Sequence, residues 1–291
     1  MKFFEKHPMG MILIGILGIS LSSIFVKYSP APSAVTAAWR LLWTVALMSP
    51  ALLRPQTRRE IGAMGTKMLL LSVLSGFFLA AHFVLWFESL AHTSVASSTT
   101  IVCTEVVWVC LGYFLFQGGK ILPKAILAIG VTLAGSVLIA WSDSGAGQLY
   151  GDILALLAAV AVAVYTLLGR TVRSRVSTTA YTWVVYLACA MALVATTLVQ
   201  GVPLAGYGWQ TPLVGLLLAV FSTILGHSVF SWCLKYFSPT FVSASKLCEP
   251  VAAAVLAGFL FGEIPTAIQV LGAALIIGGV LYYSKVEKSQ A

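Results

Sequence analysis

Ten apolar stretches, each long enough to cross a bilayer, occupy almost the whole of this 291-residue chain. A helix crossing roughly 30 Å of hydrocarbon needs about 20 predominantly apolar residues. Bounded by charges and turn residues, the stretches run 9–26, 34–53, 68–90, 93–116, 121–141, 151–169, 177–200, 212–234, 239–261 and 265–283. Hydrophobic residues make up 59% of the chain and charged ones only 9%. A water-soluble domain of this size would have too little polarity to cover its outer face, so soluble folds are excluded. The expected fold class is an all-α membrane protein of ten transmembrane helices, in contact with the lipid bilayer at its periphery.

The connections between stretches are short and leave no room for a separate extramembrane domain. Met9–Val26 lacks a small-x-small cleavage site, and it is read as a retained first span. The net charge of +8 does not signal nucleic acid, because the basic residues sort by loop instead of forming one patch. With the N-terminus inside, Lys2, Lys6, Arg54, Arg58, Arg59, Lys67, Lys120, Lys124, Arg170, Arg173, Arg175, Lys235, Lys285 and Lys288 all fall on the cytoplasmic side, and Lys27 alone on the other. That sorting follows the positive-inside rule and places both termini in the cytoplasm. A missed or invented helix would flip every later loop and spoil it. The five cysteines fall inside spans without metal-type spacing and read as small apolar residues, so no cofactor is expected.

The Ser-Asp-Ser-Gly-Ala-Gly stretch at 142–147 divides the chain into two sets of five helices, residues 1–142 and 148–291. A shift of 144 positions lays Glu105 on Glu249, Val107 on Val251, Gly118 on Gly262, Gly135 on Gly279 and Trp39 on Trp183. Five is odd, so the second half must enter the membrane from the opposite side. Inverted repeats of this kind hold their substrate site near the midplane, between the halves. Gly130 and Ala134 correspond to Ala274 and Gly278. Both pairs are small-xxx-small faces, expected to serve helix packing inside one chain or contact between two, so the chain is expected to be a monomer or a homodimer.

Charges inside a bilayer are costly and usually face a partner, a cavity or a substrate. Arg40, Glu88, Glu105, Lys246 and Glu249 fall within spans, with His82 and His227. At about 1.5 Å rise per residue, Glu105 lies roughly 18 Å and Glu249 roughly 15 Å into their helices, both near the midplane. This repeat-related pair could meet across the pseudo-symmetry axis and carry protons, or each could bond a neighbouring helix. Lys246 sits one turn before Glu249 and is expected to neutralise it locally, which leaves Glu105 unpaired. Arg40 and Glu88, near the outer ends of their spans, read as an ion pair or an outer gate. Coupling or gating candidates are therefore Glu105, Glu249, Lys246, Arg40 and Glu88.

His82 and Trp86, four residues apart, share a helix face and can line a site for an amphipathic or cationic group. His227 forms a polar stripe with Thr223 and Ser231. Tyr165 and Trp39 complete the substrate-binding candidates His82, Trp86, Tyr165, Glu105, His227 and Trp39. No G-x-x-x-x-G-K-[ST] loop is present, so the chain has no nucleotide site of its own. Neither His-x-x-x-His nor Gly-x-Ser-x-Gly occurs, which argues against an intramembrane enzyme.

Helix nine, reading S-K-L-C-E-P-V-A-A-A-V-L-A-G-F-L-F-G-E, and helix ten, reading Q-V-L-G-A-A-L-I-I-G-G-V, resemble the EamA family of the drug/metabolite transporter superfamily. Glu249-Pro250, Gly262-Glu263 and Gly272…Gly278-Gly279 carry most of the match. The first half is similar but departs at Val106, where the family often has proline. The resemblance implies a multi-pass protein of a bacterial inner or plasma membrane, with a central cavity lined by both halves. By that likeness His82, Trp86 and Tyr165 gain weight as cavity residues, and Glu105 and Glu249 shift towards packing. The expected function is secondary export of small amphipathic metabolites, amino acids foremost, by alternating access. A permease for quaternary ammonium cations such as choline is the alternative, and an intramembrane enzyme or passive channel the reading from another class. A small-molecule substrate and, conditionally, protons are the expected partners.

Overall fold

The structure, a computed structural model, describes residues 8–93, 95–142, 149–252, 255 and 266–288. Its regular elements are helical, as hydrocarbon demands of a single chain that must pair every backbone N–H and C=O internally. In chain order they are α1 (Pro8–Ser20), α2 (Ser22–Lys27), α3 (Ser33–Met48), α4 (Pro55–Gly62), α5 (Thr66–His92), α6 (Val95–Cys103), α7 (Glu105–Gln117) and α8 (Pro123–Ser142). The second part holds α9 (Leu149–Arg173), α10 (Thr178–Val199), α11 (Gln210–Leu217), a π-helical segment Leu218–His227, α12 (Ser228–Cys233), α13 (Pro239–Lys246) and α14 (Ala267–Lys288).

Among the described residues, eight helical stretches are long and apolar enough to cross a membrane. They correspond to the expected spans one to four, six to eight and ten. The fifth is apolar but shorter, Pro123–Leu138. The ninth, 239–261, is described through residue 252 and at 255, and its remainder lies outside the described residues, as do Gly262 and Glu263.

Two apolar clusters flank the centre of the bundle. One joins α3, α5, α9, α10 and α11 through residues such as Leu41, Phe83, Val162, Tyr186 and Val214. The other joins α1, α6, α7, α8, α12, α13 and α14 through Ile16, Cys103, Val106, Ala128, Phe230, Phe241 and Tyr283. Large side chains such as Phe77, Leu111, Phe116, Leu127 and Leu281 face outward, as lipid contact requires.

α8 and α14 pack closely, but not through the small residues the sequence singles out. A Cβ at Gly135 would stand 2.6 Å from the Gly272 carbonyl oxygen, and one at Gly279 only 3.0 Å from the Ala128 carbonyl oxygen. Among the described residues, Gly130 and Gly278 have no atom that near. The two faces are offset by about 100° per residue, so neighbouring small positions point in different directions, and only contact geometry picks the packed one. A second close approach seats α1 on the π segment: a Cβ at Gly18 would lie 2.6 Å from the Phe221 carbonyl oxygen.

Candidate functional site

Two interrupted helices build the centre of the molecule. α6 ends at Cys103, and α7 begins at Glu105. Across the break, Thr104 N–H donates to Ile101 O at 3.0 Å, and its hydroxyl donates to the same oxygen at 2.6 Å. A threonine hydroxyl that competes for a nearby carbonyl weakens the helical ladder in this way. α13 likewise ends at Lys246, with Leu247 and Cys248 N–H donating three residues back to Ala244 O and Ser245 O. Here the cause is Pro250, which has no N–H for the Lys246 carbonyl and whose ring crowds it. Helix resumes at Glu249. The two glutamates thus each open a new helical segment, and the two breaks are related by the same shift of 144 positions.

The break brings Lys246 and Glu105 together. Lys246 Nζ lies 2.9 Å from Glu105 Oε1 and 3.1 Å from Oε2. Ser243 Oγ donates to Glu105 Oε1 at 2.9 Å and Thr166 Oγ1 at 3.1 Å, and all four residues are buried. A buried pair is tolerable only when hydrogen bonds satisfy its remaining valences, and these two hydroxyls do so. This corrects two expectations. Lys246 reaches across to α7 and does not neutralise Glu249, and Glu105 is not unpaired. Local spacing favours a partner one turn away, but the break at 247–248 removes the helical register that would bring Lys246 and Glu249 onto one face. Among the described residues, no side chain hydrogen-bonds the Glu249 carboxylate, although Glu249 is itself buried.

Arg40 is wholly enclosed. Its Nε donates to Thr223 Oγ1 at 2.7 Å and its Nη1 to Ser22 Oγ at 3.3 Å, and the guanidinium lies 4.0 Å from the Phe83 ring centroid. Nη2 has no partner. Glu88 is not its counter-ion; it pairs with His92 on its own helix at 3.6 Å, with both side chains over a third exposed. Glu88 follows Trp86 by two residues, a rotation of about 200°, so it faces away from the side of α5 that His82 and Trp86 present inward. The outer-gate pair is therefore not formed.

Arg40, His82, Trp86 and His227 line one small central cavity together with the Glu105–Lys246 pair and Glu249. Its volume is about 40 Å³, with Ile19, Val102 and Val162 as apolar wall. Room for a water or two is all this provides, whereas a ligand pocket typically holds about 300–1,000 Å³. His82 and Trp86 stack at 5.9 Å between centroids and 16° between planes, and His82 Nδ1 lies 3.0 Å from Ala158 O. His227 meets the His82 ring edge-on at 6.2 Å. It is the last residue of the π segment, which also supplies Thr223 to Arg40. Such wide turns are rare and frequent at functional sites.

Two expected substrate residues stand outside this cavity. Tyr165 backs it, with its hydroxyl 2.8 Å from Ser231 Oγ and its ring 6.1 Å from His227. Trp39 points elsewhere: its Nε1 donates to Leu204 O at 2.8 Å, and it lines a separate groove with Tyr207 and Trp209. Trp39 and Arg40 are consecutive, about 100° apart on α3, so only one of them can face the centre. Ser22 and Thr166 are the hydrogen-bond partners of Arg40 and Glu105 that sequence reasoning passes over. Uncharged hydroxyls are common in membrane helices, and neither position stands out from its neighbours.

The EamA-like transporter family model matches residues 8–141 and again 149–285. The pseudopaline exporter CntI of Pseudomonas aeruginosa is 26% identical over 242 residues, 81% of this chain and 81% of that one. An uncharacterized transporter of Clostridium kluyveri is 26% identical over 210 residues, 69% of this chain and 67% of that one. One of Archaeoglobus fulgidus is 24% identical over 276 residues, 95% of this chain and 96% of that one. A solved crystal structure shares the fold with a TM-score of 0.77 at 18% identity, covering 97% of this chain and 98% of the other. With two successive matches filling nearly all of its length and apolar helices throughout, this chain belongs to the EamA-like transporter family and is a multi-pass protein of the cell membrane.

Proposed function

We propose that the chain is a secondary transporter that exports small amphipathic metabolites, amino acids foremost, by alternating access. In this reading ten membrane helices form two inverted halves, 1–142 and 148–291, with both termini cytoplasmic. The observation that carries the proposal is the small central cavity, where charges of both signs meet an aromatic wall. At about 40 Å³ it is too small for a metabolite, so binding demands that one side open. Contacts at the end marked cytoplasmic by its positive charge supply the inner closure. Arg170 and Arg173, at the end of α9, donate to the Leu234, Phe237 and Ser231 carbonyl oxygens just beyond and within α12. Glu60 of α4 accepts from the Ser177 N–H and hydroxyl, both at 2.6 Å.

Proton coupling, where it operates, falls on Glu249 and not on Glu105. Glu105 is held by an ammonium and two hydroxyls, while Glu249 faces Lys246, Glu105 and Arg40 around the cavity without a hydrogen-bonding side chain among the described residues. A quaternary-ammonium permease would use Trp86 and the Glu249 carboxylate, but the Arg40 guanidinium in the same cavity works against a purely cationic ligand. The test is counterflow of radiolabelled amino acids in proteoliposomes. Stimulated uptake against unlabelled internal substrate supports a carrier; its absence for all twenty, with robust choline counterflow, transfers the assignment to the cation permease.

A further inference from the structure

Nine buried side-chain polar atoms among the described residues lack a hydrogen-bond partner, and three of them belong to residues lining the central cavity. They are Arg40 Nη2, Trp86 Nε1 and His227 Nδ1. Arg40 is 0%, Trp86 5% and His227 7% exposed, so none of these groups finds bulk water in compensation. Leaving a buried polar atom unpaired costs about 1–3 kcal/mol. Guanidinium and indole nitrogens can only donate, and the imidazole Nδ1 donates in the tautomer that carries its proton there. Arg40 is held by Nε on Thr223 and Nη1 on Ser22, and among the described residues nothing accepts from Nη2. What is missing is an acceptor with more than one lone pair.

We infer that Arg40 Nη2, Trp86 Nε1 and His227 Nδ1 form a carboxylate-binding subsite, with Glu249 left to receive the positive end of the same ligand. This rests on the transporter reading above and narrows it: the substrate must carry a carboxylate, and simple amines are poor ligands. A planar two-oxygen anion meets Arg and Trp donors with charge-assisted bonds, roughly twice as strong as neutral ones. Lys246 cannot take the same role, because Glu105 already holds its ammonium.

The test compares L-leucine, leucinamide and isopentylamine, with L-tryptophan, tryptophanamide and tryptamine as a second trio. Binding is read by thermal shift of the full-length purified protein, and transport by counterflow. In the parent protein, the acid should bind at least tenfold more tightly than its amide or amine in one trio or both. Trp86→Phe keeps a ring but removes the indole N–H, and it should reduce that preference about tenfold by weakening the acid alone. His227→Phe should act in the same sense. Arg40→Lys reports only if the variant folds; Trp86→Phe keeps the inference testable if it does not. Equal binding of acid, amide and amine overturns the subsite, as does failure of every probe to bind. So does an equal loss for all three ligands in Trp86→Phe, which marks a packing role. Acid-selective binding without any counterflow leaves the subsite standing and removes the transporter reading instead.

Discussion

Replacing Glu105 by Gln should be among the most damaging conservative changes in this protein, and its effect can be worked from the contacts. The carboxylate accepts from Lys246 through both oxygens and from Ser243 and Thr166 through Oε1. Gln keeps one acceptor but turns N–H donors towards the position where Oε2 meets Lys246 Nζ. The ammonium then loses its hydrogen-bonded counter-ion, and removing one member of a buried pair costs about 3–5 kcal/mol. Lys246→Met is the milder change, because the surviving carboxylate retains two hydroxyl donors, each worth about 1.5–3 kcal/mol against a charged group. The double variant removes both charges and should be no less stable than Glu105→Gln alone, giving a coupling of about 2–3 kcal/mol, high in the range for residues in contact. Unfolding titrations with SDS in mixed micelles would measure all three. Strictly additive losses, or a Glu105→Gln loss below about 1 kcal/mol, would refute the pairing of these two charges across the helix break.

Three further outcomes are expected. Glu249→Gln should abolish uptake driven by a pH gradient yet leave exchange at equal pH intact; a retained gradient response would remove Glu249 from coupling. Gly76→Ala should destabilise by about 1–3 kcal/mol through overpacking, since its Cβ would stand 2.5 Å from the Val185 carbonyl oxygen, whereas Gly130→Ala, with nothing near, should not. Thermal unfolding in detergent compares the two, and an equal effect would show that α5 and α10 have room to part. Single cysteines at Gln56 and Ser174, in a background without native cysteines, should react with an impermeant thiol reagent only after permeabilisation, and one at Ala205 from outside intact cells. Labelling of Ser174 from outside would overturn the proposed topology.

Much of the architecture was legible in the chain because a bilayer is an unforgiving solvent. Long apolar runs can only be helices there, and their order, lengths and flanking charges are one-dimensional properties. The inward pair His82 and Trp86 was legible for a similar reason: four residues apart on one helix is a local relation that folding does not alter. His227 was found from its stripe with Thr223 and Ser231, on a segment whose π geometry the residues do not announce.

What only the tertiary structure decided was who meets whom. Lys246 has a carboxylate one turn away in sequence and takes another from α7, because Pro250 breaks its helix. Arg40 was matched by charge and depth to Glu88, yet it is held by the hydroxyls of Ser22 and Thr223, two uncharged groups from distant parts of the chain. Trp39 and Arg40 are neighbours, and a rotation of one residue sends the first to a loop and the second to the cavity. The physical reason is common to all three. Hydrophobicity sets which segments enter the membrane and is nearly additive along the chain, whereas a buried charge is satisfied only by atoms within about 3 Å, and those are chosen by packing between helices.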